Sequence, residues 1–494
     1  MGSVGIREHA SVQPNASPRT GRVARWWRAV DHGLAILCLL YLVSLPLVSH
    51  RMTASDAIEY YVYDRSIYFD ADLDFTNDYQ GFYDRNPNGL TKFKEGFIDR
   101  RNPSGKSINN GPVGSAILWA PFFLAGDGIA HLLHAARASV AADGFSLPYI
   151  WAVSIGAALY AGAALLLTYW LTSQITDHCA AFWASLVIWL GTPAFFYSHL
   201  APTYAHATSW FATAALLAVW YRTRERRTWM GWVALGLLGG LVAMIREQDA
   251  VFLLIPVVDE ILRLMAGLRR RTKQWWNDLS RTLAGGILYG VVAVVAFIPQ
   301  LLVYRSLNGA FRPSAEVSDK LRWNAPNALR VLFDPAHGLF FWTPILLVAV
   351  FGIACLIRRD ARLGASLATG FALTLYLNGS FQTWTTAGAF GARRFIVCSP
   401  IFAIGLAEVF RRWGEQRAGA PGALRIWVPI LAIAAILWNG GLIVQFVKQY
   451  MDRQQLEWPL VLVNQFTQVP RHLFGDLWRL IRAPNSFYQG GGTP

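Results

Sequence analysis

Residues 149–171 read YIWAVSIGAALYAGAALLLTYWL, a run with no acidic or basic side chain anywhere in it. At 1.5 Å per residue such a run makes a helix of about 35 Å, enough to cross a hydrocarbon core of about 30 Å. Runs of the same kind recur at 34–49, 182–196, 203–221, 286–303, 344–357 and 426–447. One could be the central helix of a soluble domain; this many cannot share one soluble core. The chain has 494 residues, 54% hydrophobic and 15% charged, where a soluble domain usually carries about 25% charged residues. The expected fold class is therefore all-α, a polytopic transmembrane helical bundle.

The formal charge of +14 would suit nucleic acid in a soluble protein. In a membrane protein, basic residues hold the cytoplasmic loops in place, so nucleic acid is not expected as a partner. Cys38, Cys179, Cys355 and Cys398 lie in or beside apolar runs, show no CxxC spacing, and read as small buried hydrophobes rather than a disulfide framework. Residues 1–30 form a basic, polar leader ahead of the first apolar run, which has no small-x-small cleavage site and reads as an uncleaved signal anchor.

Loop charges orient the chain. Basic clusters fall at Arg222/Arg224/Arg226/Arg227, at 263–273 including Arg269–Arg271, at Arg358/Arg359/Arg362 and at Arg411/Arg412/Arg417. With 1–30 as a cytoplasmic tail, spans at 31–49, 149–171, 181–198, 203–221, 230–246, 250–267, 283–304, 341–357, 363–379, 395–411 and 425–447 put every cluster inside. That is about eleven spans, within a range of about 10–13. The membrane domain then covers 31–447, with outer loops at 50–148, 305–340 and 380–394 and an outer C-terminal tail at 448–494. One segment fits poorly. Residues 113–135 (VGSAILWAPFFLAGDGIAHLLHA) are apolar enough to cross, but a single crossing would turn every later arginine cluster outward. They are expected to form a re-entrant or interfacial helix, or two half-helices broken at Pro121, Gly126 and Gly128.

The candidate chemistry lies in the outer loops. Residues 50–112 of the first loop carry ten acids, a third of the chain's total of 30. Asp56 and Glu59 follow the first span at once, where a carboxylate can act as general base toward a hydroxyl acceptor; Ser55-Asp56 also resembles a helix N-cap. Asp70, Asp72, Asp74 and Asp78 are spaced like a calcium loop, but Phe75 and Gly81 occupy the positions that an EF-hand gives to Gly and Glu. A looser divalent-cation site stays open there. Tyr60 and its aromatic neighbours suit sugar faces or a membrane-interface belt. The turn His199-Leu-Ala-Pro-Thr-Tyr204-Ala-His206 brings two imidazoles and a phenol to the outer side as ligand-binding candidates. Arg246-Glu247-Gln248-Asp249 places charges at membrane depth, where charges are costly and tend to be functional. The 380–394 loop is rich in small residues and ends on Arg393 and Arg394, on the outer side against the positive-inside rule. A guanidinium fork there suits a phosphate or pyrophosphate.

Taken in order along the chain, several short motifs resemble the C-type (GT-C) superfamily of integral-membrane glycosyltransferases, in particular its bacterial protein O-mannosyltransferases and the lipid A aminoarabinose transferase. The motifs are Ser55-Asp56-Ala-Ile-Glu59-Tyr60-Tyr61, Asp72-Leu-Asp74-Phe-Thr-Asn77-Asp78-Tyr79, Asn110-Gly111-Pro112-Val-Gly114 with Leu118-x-Ala120-Pro121-Phe122, Asp334-Pro-Ala-His337-Gly338-Leu339-Phe340, and Phe390-Gly391-Ala392-Arg393-Arg394-Phe395. The resemblance implies a GT-C bundle whose large first outer loop contains short interfacial helices. It implies a polyprenyl-phosphate sugar donor and an inverting transfer to a hydroxyl or phosphate of a glycan, lipid or protein, at the outer face of a bacterial inner membrane. Asp56, with Glu59, matches the position of the base. Arg393 matches a donor-phosphate contact, with Arg394 and Arg246 as further phosphate ligands and Tyr60, His199, Tyr204, His206 and His337 as substrate contacts. Ala57 departs from the family's acid pair, and the stretch before Phe390 is thinner than the family's Gly/Trp-rich one. No GxGxxG or P-loop is present, in keeping with a lipid-linked donor. A transporter or flippase of lipid-linked saccharides is the alternative; it would need polar groups deep within the spans, which here are clean. A non-catalytic outer-surface binding or assembly protein is a third reading.

Overall fold

The computed structural model describes residues 31–482, apart from Thr53, Thr91, 269–272, Ala387 and 416–425. The leader 1–30, Arg269–Arg271, Arg417 and the end at 484–494 lie outside the described residues. Among those described, the chain is helical throughout, with two isolated bridges, Arg101 to Ser107 and Leu321 to Phe381, as its extended pairing.

Every segment expected to span falls on a helix: α1 (His32–Ser44), α5 (Leu147–Ile175), α6 (His178–Leu190), α7 (His206–Thr223), α8 (Trp229–Ile245), α9 (Leu254–Gly267), α10 (Lys273–Asn308), α11 (Ile345–Arg359), α12 (Ala361–Ser380), α13 (Ser399–Glu415) and α14 (Trp427–Val447). The first outer loop folds into α2 (Ser55–Arg65), α3 (Thr76–Arg85) and α4 (Gly114–Ala135), and the C-terminal tail into α15 (Trp458–Phe466) and α16 (Gln468–Arg482). Among the described residues four helices are long and apolar enough to cross a membrane: Gly114–Ala135, Leu147–Ile175, Gln274–Asn308 and Trp427–Val447. Between Leu283 and Leu302 of α10 the side chains turned away from the protein, among them Leu283, Ile287, Val291, Val294, Ile298 and Leu302, are all apolar. A stripe of that size would be a liability in water and is the natural surface against lipid. The chain reads as an integral membrane protein.

Local chemistry explains how the helices begin. Asp31, Asp177, Thr228 and Asp360 each accept a backbone N–H from the first turn of the helix that follows, α1, α6, α8 and α12 respectively. All four caps belong to loops assigned to the cytoplasmic side, and that end of the bundle is also tied together by arginines. Asp259, fully buried on α9, receives Arg362 Nε at 2.7 Å and Arg224 Nη2 at 3.3 Å. Glu408 on α13 receives Arg359, Arg411 and Arg412 at 2.9, 3.0 and 2.9 Å. The clusters that orient the sequence thus converge on two buried carboxylates at one end. A buried carboxylate is tolerable only when paired and hydrogen-bonded.

The bundle core is Leu, Ile, Ala, Phe and Trp from α5 to α8 and α11 to α14. Helices α11 and α13 meet at Gly352 and Gly405, where a Cβ on Gly352 would overlap the Gly405 carbonyl. This is the close backbone approach that small residues permit between membrane helices. Gly352→Leu is expected to destabilise the protein by about 2 kcal/mol or more through overpacking, read as a lower unfolding temperature in detergent. Gly290→Ala, whose new methyl meets open space, should leave that temperature unchanged or raise it.

Residues 113–135 require a correction. They form one continuous helix, α4, with Pro121 in its interior, and not two half-helices. Its partners run antiparallel along one half of α5. The Tyr160 hydroxyl donates to the Leu118 carbonyl, Gly156 abuts Phe122, Gly126 abuts Tyr149, and the Tyr149 hydroxyl donates to Asp127. These contacts all lie on the half of α5 farthest from Tyr169, which pairs with Asp31 at the arginine end. Apolar packing against α5 on both sides of Pro121 holds the helix together across the missing N–H. With α2 and α3 it builds a second core of aromatic side chains, in which Tyr61 meets Phe82 at 5.6 Å and Phe123 at 5.7 Å. The C-terminal tail is anchored as well: Lys448 pairs with Asp476 of α16 at 3.1 Å. Of the cysteines, Cys355 and Cys398 are buried as expected, Cys38 is partly so, and Cys179 is exposed at the start of α6.

Candidate active site

At the end of the bundle away from the arginine-bound carboxylates, the starts of α2 and α7, the end of α8 and the loop before α13 surround a cavity of about 410 Å³. Asp56, Tyr60, Tyr204, His206, Arg246, Arg393 and Arg394 all line it. Most of the candidates, drawn from four separate loops and turns, therefore converge.

Asp56 sits in the first turn of α2, but the N-cap is Ala54 and makes no side-chain cap bond. The carboxylate is thus free of the capping role that Ser55-Asp56 resembles, and it lies where a helix N-terminus favours negative charge. It accepts from Arg393 Nη1 at 2.8 Å, across 337 positions of sequence. Arg393 also lies over the Tyr204 ring at 5.3 Å. Burial pulls its pKa down, but Asp56 with Tyr197 and Tyr204 outweighs that and holds it above the ordinary guanidinium value. Arg394 is different. Burial, reinforced by repulsion from Arg246 and Arg393, pulls it down to about 9, and its buried Nη1 has no hydrogen-bond partner. Arg246 Nη1 lies 3.2 Å from His206 Nδ1 and 3.9 Å from Asp249. Three guanidiniums crowd one wall, one of them unfavourably, and an anion among them would relieve that crowding.

Other candidates stand behind the cavity. Glu59, one turn beyond Asp56, accepts from the Asn110 backbone at 2.8 Å and so shapes the lining segment 110–112. His199 is buried with Ser44 and Ser198 at its two ring nitrogens, both at 2.8 Å, and stacks on Phe195; it fixes the exit of α1. His337 adopts a left-handed backbone, stacks on Trp342 and lies 2.6 Å from the Ala389 carbonyl. It braces the loop leading to Arg393. The four aspartates of the first loop are used locally. Asp70 and Asp78 pair with Arg65 at 2.6 and 2.7 Å, Asp72 bonds Ser66, and Asp74 bonds Thr76. Among the described residues no group of three or more His, Cys, Asp and Glu is placed to hold a metal ion.

Glu247, Gln248, Asn110, Trp323 and Phe381 also line the cavity and were not singled out as site residues. Glu247 had a signal, since it belongs to the charged turn 246–249. Trp323 and Phe381 had none; they arrive because Leu321 bridges Phe381 and joins two outer loops. Glu247 accepts from the Tyr304 hydroxyl, and burial pushes its carboxyl up to about 7.

These features define an all-helical integral membrane protein with a cavity lined by arginines and carboxylates at one end of its bundle. No family model matches the chain, and no curated protein matches it. Similar solved structures include the crystal structure of ArnT from Cupriavidus metallidurans bound to undecaprenyl phosphate, at 14% identity over 96% of this chain and 76% of that one, with a TM-score of 0.43.

Proposed function

We propose that this protein is a membrane glycosyltransferase that uses a polyprenyl-phosphate-linked sugar, resident in a bacterial inner membrane with the Asp56 cavity facing the periplasm or exterior. One observation carries the reading: Asp56 and Arg393 meet at 2.8 Å in one cavity that also holds Arg246 and Arg394. In the reaction, an acceptor hydroxyl or phosphate of a glycan, lipid or protein enters beside Asp56. For a hydroxyl, the carboxylate takes the proton as the oxygen attacks the anomeric carbon. The bond from that carbon to the donor phosphate breaks, and its electron pair leaves on the phosphate. A single displacement inverts the anomeric centre. Arg393, with Arg394 and Arg246, faces the charge that develops on the leaving phosphate. Before the donor binds, Asp56 holds Arg393 in place; the incoming phosphate then takes over that guanidinium and releases Asp56 to act as base. A divalent cation has no ligand cluster among the described residues, and the arginines supply the positive charge.

Incubation of the purified protein with a panel of polyprenyl-phosphate hexoses and pentoses tests the reading. The expected result is sugar transfer with inversion and release of polyprenyl phosphate. No release from any donor, or movement of intact donor between leaflets, would overturn it; the latter would establish a flippase.

Glu247 adds a pH dependence. Its raised pKa means it keeps its proton below about 7, so at lower pH Glu247 adds no negative charge to the cavity that the three arginines line. Above that pH its negative charge appears there. Donor affinity is expected to fall as the pH rises from about 6 to about 8, and Glu247→Gln to flatten the profile at the high-affinity level. The measurement is donor KM against pH for both proteins.

A further inference from the structure

A second, larger cavity, of about 730 Å³, lies at the opposite end of the bundle from Asp56, between the ends of α7, α8, α9 and α10. Five arginines and three carboxylates line it. The balance is less even than that count. The Arg227 side chain is 3% exposed, stands 2.9 Å from Glu260 and lies over the Trp232 ring at 4.5 Å. Its Nη1 and Nη2 nevertheless make no hydrogen bond. Glu260 is meanwhile engaged through its other oxygen by Arg263 at 2.7 Å, so one carboxylate serves two guanidiniums. Arg226 and Arg281 line the same cavity and make no side-chain bond with any described residue. Nothing in the proposed transfer uses this end of the protein.

The surroundings indicate the depth of the cavity. Trp229, Met230 and Trp276, at its margin, are 56%, 73% and 56% exposed. Exposed tryptophans beside the ends of apolar helices mark the membrane–water interface. Basic pockets between helix ends at that level suit lipid headgroups, and the cytoplasmic leaflet is the anionic one. A planar guanidinium offers the paired donors that a phosphate accepts.

We propose that this cavity binds the phosphate of an anionic phospholipid headgroup, with the buried Arg227 side chain and the half-buried Arg263 as donors and Arg226 and Arg281 closing over the bound group. The lipid joins four helices at the cytoplasmic end. A soluble phosphate shares the same chemistry and is separated from the lipid by the test.

The test uses the full chain, purified and delipidated in detergent, titrated with phosphatidylglycerol or phosphatidylcholine and read by native mass spectrometry. Wild type is expected to retain phosphatidylglycerol and not phosphatidylcholine. The double variant Arg226→Gln/Arg281→Gln is expected to bind phosphatidylglycerol about tenfold more weakly or worse, since each interfacial arginine contributes separately, with single variants in between. Both side chains are exposed, so the fold should stand, and an unchanged lipid-free unfolding temperature verifies it. Equal retention by the double variant, or equal retention of the zwitterionic lipid by wild type, would overturn the proposal. Displacement of the lipid by millimolar inorganic phosphate would also overturn it, in favour of a soluble anion.

Discussion

Asp56→Asn is expected to lower turnover by about 10³-fold, within the range a positioned general base contributes, while leaving the donor bound. The amide keeps the size and shape of the carboxylate but cannot take the acceptor proton. It also weakens the bond to Arg393, so the guanidinium is more available to the donor phosphate, and donor KM should stay level or fall. That split separates a base from a structural residue: a carboxylate needed only for folding would lower the yield of folded protein and change kcat and KM together. The Asp56 side chain is 40% accessible, so folding should survive. The matching change one turn on, Glu59→Gln, should act differently. It keeps an acceptor for the Asn110 N–H and should cost much less than Asp56→Asn, as expected of a residue that holds the lining and touches no substrate.

Arg393→Ala is expected to raise donor KM and lower kcat together, for a loss in kcat/KM of about 10³-fold or more. Removing one donor that stabilises a developing oxyanion typically costs about 10²–10³-fold, and here the same group also holds the ground-state phosphate. Arg393→Lys should recover part of this loss, because it restores the charge without the planar fork. Arg394→Gln should act mainly on KM. Its guanidinium is repelled by two others and lacks a partner for Nη1, so its removal eases repulsion in the empty cavity while taking away a ligand from the filled one. Equal effects of the Lys and Ala substitutions at 393 would argue against a bidentate phosphate contact.

Much of the architecture was legible because it follows from run length and loop charge, both one-dimensional quantities. Arg224, Arg362, Arg359 and Arg412 were readable as markers of one face, and the structure gathers them on Asp259 and Glu408. Those two acids carried no signal of their own, since an acid in an apolar run declares a partner without naming it. The α4 segment was ambiguous for a physical reason. Its composition suits hydrocarbon or a tight apolar interface equally well, and only its neighbours on α5 place it beside the first loop. At the site, Asp56, Arg246 and Arg393 could be picked out because charge at the membrane boundary is expensive. The roles of His199, His337 and Glu59 could not, because an imidazole or carboxylate that braces a turn is spelled the same way as one that binds a ligand. In the acidic run 70–78, spacing alone left a cation site open and could not show that Arg65, on the preceding helix, pairs with two of its members.

The most direct test of the central claim is a structure of the protein with a polyprenyl phosphate bound. The phosphate is predicted between Arg393, Arg394 and Arg246, with the Asp56–Arg393 bond opened and the Asp56 carboxylate left facing the adjoining space where an acceptor would stand. A phosphate bound elsewhere, with Asp56 and Arg393 still paired as in the empty cavity, would contradict the account.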